Sequence, residues 1–283
     1  MNLTLLARTF RDSLWLLLGT CALIFAFVWA RVWVSAQFET QHIRKLLGDF
    51  APAFVRQMLP VDIEVIASTA GRLAMSYEEP LALALVSFWA ISRGSDVVAG
   101  ELGRGSLEMT LAQPVRRIEW LLSHTAVTFI GLVLITAAAW LGTWIGIQTI
   151  ELEEPAEAKS FLIAAFNLFS LGLFLAGLST LLSSFDQNRS RVVGIVVGIF
   201  AVQLIQKVIA RAAPDDYVNV KRLGDFSFLT AFEPQLLVHE IRTGVPGAWA
   251  TFWDYNGALL ALGIFGVALA AAVFQHRDLP APL

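Results

Sequence analysis

The sequence predicts an all-α integral membrane protein with six transmembrane helices, and two observations predict it. Of the 283 residues, 57% are hydrophobic and 15% are charged, whereas soluble domains average about 45–50% apolar and about 25% charged residues. The apolar residues also form runs long enough for helices of about 20 residues, the length that crosses a hydrocarbon layer of about 30 Å. We expect residues 1–283 to form a single transmembrane domain. The six runs are 13–34, 80–98, 121–147, 161–185, 192–210 and 257–274.

The first run also has features of a cleaved signal peptide. Arg8 and Arg11 precede it, and residues 34–36, Val-Ser-Ala, resemble a small-residue cleavage site. Its apolar stretch is longer than a typical signal-peptide core, and tryptophans near its ends resemble an aromatic belt, which favours a retained span. Residues 1–12 are expected to form a short interfacial helix on the cytoplasmic surface, with a frayed N-terminus as the alternative.

The basic residues of the connections indicate the orientation. The 185–191 connection, the loop after the second span and the C-terminal tail carry arginines, whereas the 150–159 connection carries four glutamates and one lysine. Because cytoplasmic loops are enriched in Lys and Arg, both termini are expected in the cytoplasm, with the chain a multi-pass protein of the inner (plasma) membrane. The two longer outer loops also carry basic residues, which weakens this asymmetry.

Those two outer loops contain helical patterns. Residues 38–79 are expected to form an amphipathic helical hairpin, and residues 211–256 to contain one helix that ends at Gly244 and Pro246. An interfacial aromatic cluster follows that helix. The first arm of the hairpin is marked by Ile43, Leu46, Leu47, Phe50, Phe54 and Met58, and the second by Ile66, Ala70, Leu73 and Tyr77.

Several other kinds of site lack the residues they need. The net charge is -3, from 20 basic and 23 acidic residues, which does not favour a nucleic-acid partner. Cys21 is the only cysteine and the four histidines are scattered, so neither a disulfide nor a zinc site is predicted. Glu78 and Glu79 resemble the paired acids of some intramembrane proteases, but the companion histidines are missing. We assign no catalytic residue, metal or cofactor.

Polar and small residues inside the spans suggest helix contacts. Polar groups there are energetically costly and often mark a pathway or a contact between helices. Lys207 is expected near the outer interface, where it would snorkel. The small-x3-small motifs at 142–146 and 194–198 permit close helix approach, either within the chain or between copies. The polar residues are Asn167, Gln203, Gln206 and Lys207.

The most informative segment is the cytoplasmic loop expected at 99–117, with the sequence GELGRGSLEMTLAQPVRR at 100–117. Ser106 is a favourable helix N-cap, Glu108 lies in the first turn, where the helix dipole favours a carboxylate, and Pro114 forbids continuation. The pattern therefore predicts a helix of about one to two turns that suits docking. A solvated loop whose charges pair with one another is the alternative. The apolar ridge of this helix would consist of Leu107 and Leu111.

This segment resembles the cytoplasmic loop of permeases of the ABC type-2 transporter family. The shared residues are Glu101, the Gly-Ser-Leu-Glu at 105–108, the Leu-Ala-Gln-Pro-Val at 111–115, and Arg117. They follow the family pattern E-x3-G-[ST]-[LI]-E-x-L-L-x-x-P-[VI]-x-R, except that Thr110 stands where the family usually has Leu. The six-span layout and the long outer loop before the last span are also similar to members of this family.

The resemblance implies a permease subunit of an ABC exporter that moves an unidentified substrate. Such a subunit pairs with a second permease copy or a paralogue, and ATP is bound and hydrolysed by a separate ABC ATPase subunit. In that family the short cytoplasmic helix is a coupling helix that sits in a cleft on the ATPase. The ATPase-coupling residues that this implies here are Glu101, Arg104, Gly105, Leu107, Glu108, Leu111, Pro114 and Arg117.

The chain itself is not expected to hydrolyse ATP. The glycines of residues 100–106 have the separation of a P-loop, but Ser106 stands at the lysine position and no strand precedes the segment. Two other functions remain open. One is a non-transporting membrane scaffold that docks an ATPase for signalling or force transmission. The other is an intramembrane enzyme, against which the missing catalytic constellation argues.

Overall fold

A computed structural model describes residues 3–38, 40, 63–107, 116–213 and 217–277 of the chain. Six of its helices are long and apolar enough to cross a membrane, which confirms the predicted number of spans. These six are α1, α4, α5, α6, α7 and α10. The helices are α1 Leu3–Ala36, α2 Ile63–Ala67, α3 Thr69–Met75, α4 Pro80–Ser95 with its continuation through Asp96–Gly100 and Glu101–Gly103, α5 Arg117–Thr149, α6 Leu162–Phe185, α7 Arg189–Ala212, α8 Val218–Lys221, α9 Pro234–Thr243 and α10 Ala248–His276.

The first span differs from its prediction. Residues 3–12 run directly into the span as part of one 34-residue helix, α1, which is about 51 Å long. The prediction of a separate interfacial helix over 1–12 is therefore wrong for the residues that the structure describes. The reason is that α1 contains no proline and a single glycine, Gly19, so that nothing in its sequence ends the helix before the apolar run begins.

Helix α6 lies at the centre of the bundle, packed against α4, α5 and α10. Within its most apolar window 67% of the residues are buried, against 11% for α7. The backbones of α6 and α10 approach closely at Gly177, Gly263 and Gly266, where a Cβ added to Gly177 would lie 2.1 Å from the Gly263 carbonyl oxygen. Small residues at this crossing therefore allow the tight packing on which the centre of the bundle depends.

The two predicted small-x3-small motifs have different outcomes. Gly142 and Gly146 of α5 face α1, where added Cβ atoms would lie 2.7 Å from the Phe25 carbonyl oxygen and from Val32. That motif packs within the chain. Gly194 and Gly198 of α7 have no atom of the described residues within 4 Å of an added Cβ, so their motif faces away from the bundle.

The loop helices are only partly covered by the described residues. Helices α2 and α3 form the second arm of the predicted hairpin, with Ile66, Ala70 and Leu73 buried, whereas the first arm lies outside the described residues. The helix expected in the last loop is confirmed as α9, and it ends at Gly244, whose φ of 69° is left-handed. Helix α10 begins at Ala248 rather than at 257, because no proline or helix-ending signal separates the aromatic cluster from the apolar run.

Replacing Gly177 by alanine is expected to destabilise the protein by about 1–3 kcal/mol, because the added methyl group collides with the backbone of α10. The matched control is Gly194→Ala, which adds the same methyl group to a transmembrane helix where nothing opposes it. Thermal unfolding of both purified variants in detergent measures the difference. Equal melting temperatures for the two variants would contradict the close crossing of α6 and α10.

Candidate functional site

The segment that carries the predicted motif begins on a π-helical turn at the end of α4, residues Asp96–Gly100. A π turn shifts the regular helical hydrogen bonds by one residue. The Ser183 hydroxyl of α6 accepts hydrogen bonds from the amides of Val98 (3.2 Å) and Ala99 (2.9 Å), and it donates one to the Ser95 carbonyl (3.0 Å). Ser183 thus fixes the turn to the centre of the bundle. We call this end of the bundle the motif end.

Charged side chains link the turn to the motif. Arg104 donates to the Asp96 carboxylate through Nη1 (2.9 Å) and to the Glu101 carboxylate through Nη2 (2.6 Å). The Ser106 hydroxyl donates to the other oxygen of Glu101 (2.5 Å). The hydrogen bond that Arg104 donates to Asp96, followed by the one it donates to Glu101, raises the pKa of Arg104 above its usual value. In the described part of the motif, Glu101 and Arg104 therefore pair within the chain, as the solvated-loop alternative expected.

Asp96 also contacts the fifth span. Arg189, the first residue of α7, places Nη1 3.5 Å from the same Asp96 oxygen that binds Arg104. A second guanidinium nitrogen of Arg189 donates to the Ser92 hydroxyl (2.9 Å). One carboxylate thereby connects the loop after α4 with the first turn of α7, and only 13% of the Asp96 side chain is exposed.

The predicted coupling residues fall into different surroundings. Gly103, Arg104 and Gly105 are exposed, and we call these three residues the tip. Gly105 has a φ of 70°, which favours glycine. Leu107 is fully buried, so this side chain anchors the loop to the spans and does not form the exposed docking ridge that we expected. Glu108, Leu111 and Pro114 lie outside the described residues. The cluster around Leu107 consists of Val97, Val98, Trp120, Leu121, Ala270 and Phe274.

Arg117, the last residue of the motif, contacts the end of α10. Its Nη1 donates to the carbonyls of Arg277 (2.5 Å) and Phe274 (3.3 Å). A cation at this position satisfies carbonyls that the helix end leaves without partners and complements the helix dipole. Arg117 therefore joins the start of α5 to the end of the last span.

A groove runs between α4 and α7, starting at the motif end beside Ser92 and Arg189. Its volume is about 860 Å³, and at the other end it reaches Glu78. The spans that border this groove are the two that Asp96 connects. Its wall between those ends consists of Pro80, Leu83, Ala84, Ser87, Phe88, Ile91, Ser190, Val193, Val197, Phe200 and Leu204.

A buried ionic cluster lies at the opposite end of the groove. Lys207 donates to the Leu229 carbonyl (2.7 Å), the Phe232 carbonyl (2.8 Å) and the Glu233 carboxylate (2.7 Å), and Arg211 binds the same carboxylate. The expectation that Lys207 snorkels is therefore wrong. The side chain is 12% exposed, because the loop before α9 supplies three acceptors within the bundle.

Sequence reasoning missed Asp96, Ser183 and the contact made by Arg189. Asp96 and Ser183 carried a weak signal, since each is a polar residue at the border of an apolar run. Nothing in the sequence indicates that α4 continues through a π turn, which is what brings these residues together.

Comparison with known proteins agrees with the resemblance of the motif. No curated protein matches the chain. A family model described as ABC-2 family transporter protein matches residues 5–279, which covers the motif and all six spans. The chain therefore belongs to the ABC-2 transporter family and is a multi-pass membrane permease component of an ABC transporter.

Proposed function

We propose that this permease is the transmembrane subunit of an ABC exporter in which the loop at 99–117 docks a separate ATPase subunit. A second permease copy or a paralogue completes the pathway, and both termini and the motif end face the cytoplasm. Membership of the family supports the ATPase partner. The arginines of the 185–191 connection support the orientation, since they lie at the motif end, whereas the four glutamates of the 150–159 connection lie at the opposite end.

The observation that carries this proposal is the position of Asp96 between Arg104 and Arg189. Arg104 is at the exposed tip of the loop, and Arg189 begins the helix that forms one wall of the groove. A displacement of the tip by the ATPase is transmitted through Asp96 to α7, and the second wall, α4, is continuous with the loop. The two walls then move relative to each other, and the groove is the substrate path.

Because Leu107 is buried, the contact with the ATPase is assigned to the exposed tip, residues Gly103–Gly105. Leu107→Asp would place a carboxylate in the chain's own core, so that loss of ATPase binding by this variant would not report on docking. Gly103 offers a cleaner test. It is exposed, and among the described residues an added Cβ meets only the Gln187 carbonyl oxygen, at 3.6 Å.

Gly103→Trp is expected to weaken co-purification of the ABC ATPase about tenfold or more. The large side chain should block entry of the tip into a cleft on the ATPase, and at this exposed position it should leave the packing of the spans unchanged. The control is Val245→Trp, which adds the same ring at an exposed site at the opposite end. Pull-down of the ATPase from membranes that contain either variant gives the measurement. If Gly103→Trp retains the ATPase as well as Val245→Trp does, the tip is not the docking surface.

Arg189→Gln is expected to lower ATP-driven transport about tenfold, equivalent to about 1.4 kcal/mol, while ATPase binding persists. The substitution removes the contact with Asp96 and the bond to Ser92. Arg191→Gln, two residues later in the same helix, is the matched control, since it removes only an exposed 3.4 Å pair with Asp186, a type of pair that contributes little. Equal transport by both variants in proteoliposomes would refute a transmitting role for the Asp96 network.

The proposed orientation is tested by fusions to a phosphatase that is active only outside the cytoplasm. A fusion after Glu154 should be active, because that connection carries the acidic residues, and a fusion after Gln187 should be inactive. The reverse pattern would place the motif end outside the cytoplasm and rule out docking of an ATPase there.

A further inference from the structure

The groove between α4 and α7 adjoins a second, smaller space. This annex has a volume of about 180 Å³ and shares with the groove the wall residues Glu78, Leu83, Phe200 and Leu204. Its remaining wall includes Lys207 and Arg211. The combined space is therefore apolar along most of its length and ionic at one end.

The apolar part accepts a hydrocarbon chain and excludes a charged one. Between Glu78 and the Ser92–Arg189 end, Ser87 and Ser190 supply the only polar side chains among the described residues that line the groove. A charge placed there would be without an ionic partner. The helical rise from Pro80 to Ser92 is about 18 Å, roughly two thirds of the hydrocarbon thickness. Exposed wall residues such as Ala84 and Val197 leave the groove open at its side, so that a chain can enter from the bilayer.

A helix of a second protein does not fit inside the groove. An α-helix with side chains is about 10–12 Å across, so a stretch of about 18 Å would occupy about 1,400 Å³ or more. This exceeds the groove volume of about 860 Å³. A flexible hydrocarbon chain fits within this volume.

The annex favours a headgroup with both signs of charge. Glu78, Lys207 and Arg211 line the annex, and Glu233 pairs with both cations, so the formal charge of the cluster is zero. One Glu233 oxygen has no hydrogen-bond partner in the described part of the chain, although this residue is only 4% exposed, and a buried carboxylate oxygen gains most from a cationic or N–H donor. Arg211, whose side chain is 29% exposed, is positioned to bind an anionic group.

We propose that the groove and annex together bind one zwitterionic amphiphile, with its hydrocarbon chain between α4 and α7 and its headgroup in the annex beside Glu78 and Arg211. The inference rests on the proposed function in one respect, since it names the class of molecule that the permease moves.

Binding is measured without any ATPase, on the full chain purified in a nonionic maltoside detergent. The probe is a single-chain phosphocholine amphiphile with a fluorophore at the chain end, titrated by anisotropy. Ala84→Trp and Val197→Trp fill the groove from its two walls and are expected to raise Kd about tenfold or more. Leu134→Trp and Leu262→Trp, on exposed apolar surfaces of α5 and α10, should leave Kd unchanged. Binding by the groove variants like the parent chain, or an equal loss in the surface variants, would overturn the proposal.

The headgroup is tested with probes that carry the same chain and fluorophore on a carboxylate or on a trimethylammonium group. The phosphocholine probe should bind tightest to the parent chain. Glu78→Gln leaves the annex with one excess positive charge and should shift selectivity about tenfold towards the carboxylate probe. Tighter binding of either singly charged probe by the parent chain, or unchanged selectivity in Glu78→Gln, would contradict the zwitterionic site.

These outcomes are separable from those of the proposed function. Absence of groove-dependent binding overturns the amphiphile site and leaves the docking and transmission tests unaffected. Groove-dependent binding with no ATP-driven movement of the probe in proteoliposomes overturns transport and leaves the site in place.

Discussion

One hydroxyl group, that of Ser183, holds the turn on which the motif end depends. A bilayer offers no water to backbone groups, so a break in helical hydrogen bonding near its border requires partners from the protein. Ser183 supplies such a partner to the amides of Val98 and Ala99. It lies on α6, the most buried span, so these hydrogen bonds attach the turn to the centre of the bundle. Asp96 is the first residue of that turn, so the turn also places the Asp96 carboxylate beside Arg104 and Arg189.

Ionic clusters lie at both ends of α7, and the groove wall between them is mostly apolar. Asp96 and Arg189 meet at one end, and Glu233 joins Lys207 and Arg211 at the other. Buried ion pairs contribute little net stability compared with apolar packing of similar volume, because desolvation offsets their attraction. Their value here is positional: each cluster fixes one end of α7 while leaving its middle free to border the groove.

The sequence was sufficient for the features that depend on local chemistry. The apolar runs predicted the six spans. Gly244 predicted the end of α9, because the left-handed conformation that commonly ends a helix favours glycine. The sequence was insufficient where contacts between residues far apart in the chain determine the environment of a side chain. The burial of Leu107 depends on Ala270 and Phe274, more than 160 positions away, so helical spacing alone suggested an exposed ridge. The three acceptors of Lys207 likewise come from a loop whose fold no periodicity reveals. The motif identified the candidate loop, but only tertiary contacts distinguished its exposed residues Gly103–Gly105 from the buried Leu107.

The same packing identifies which helix moves at the lowest cost. Separating α6 from α10 would break a close backbone crossing at Gly177 and Gly263 and lose dispersion contacts that lipid does not replace in the same number. Moving α7 exchanges lipid contacts for other lipid contacts over most of its surface, since so little of it is buried. The resistance to its movement therefore comes mainly from the hydrogen bonds at its ends, of which those to charged groups contribute about 1.5–3 kcal/mol each. In the proposed mechanism, a force applied at Arg104 would act on one of these ends through Asp96, which contacts both Arg104 and Arg189.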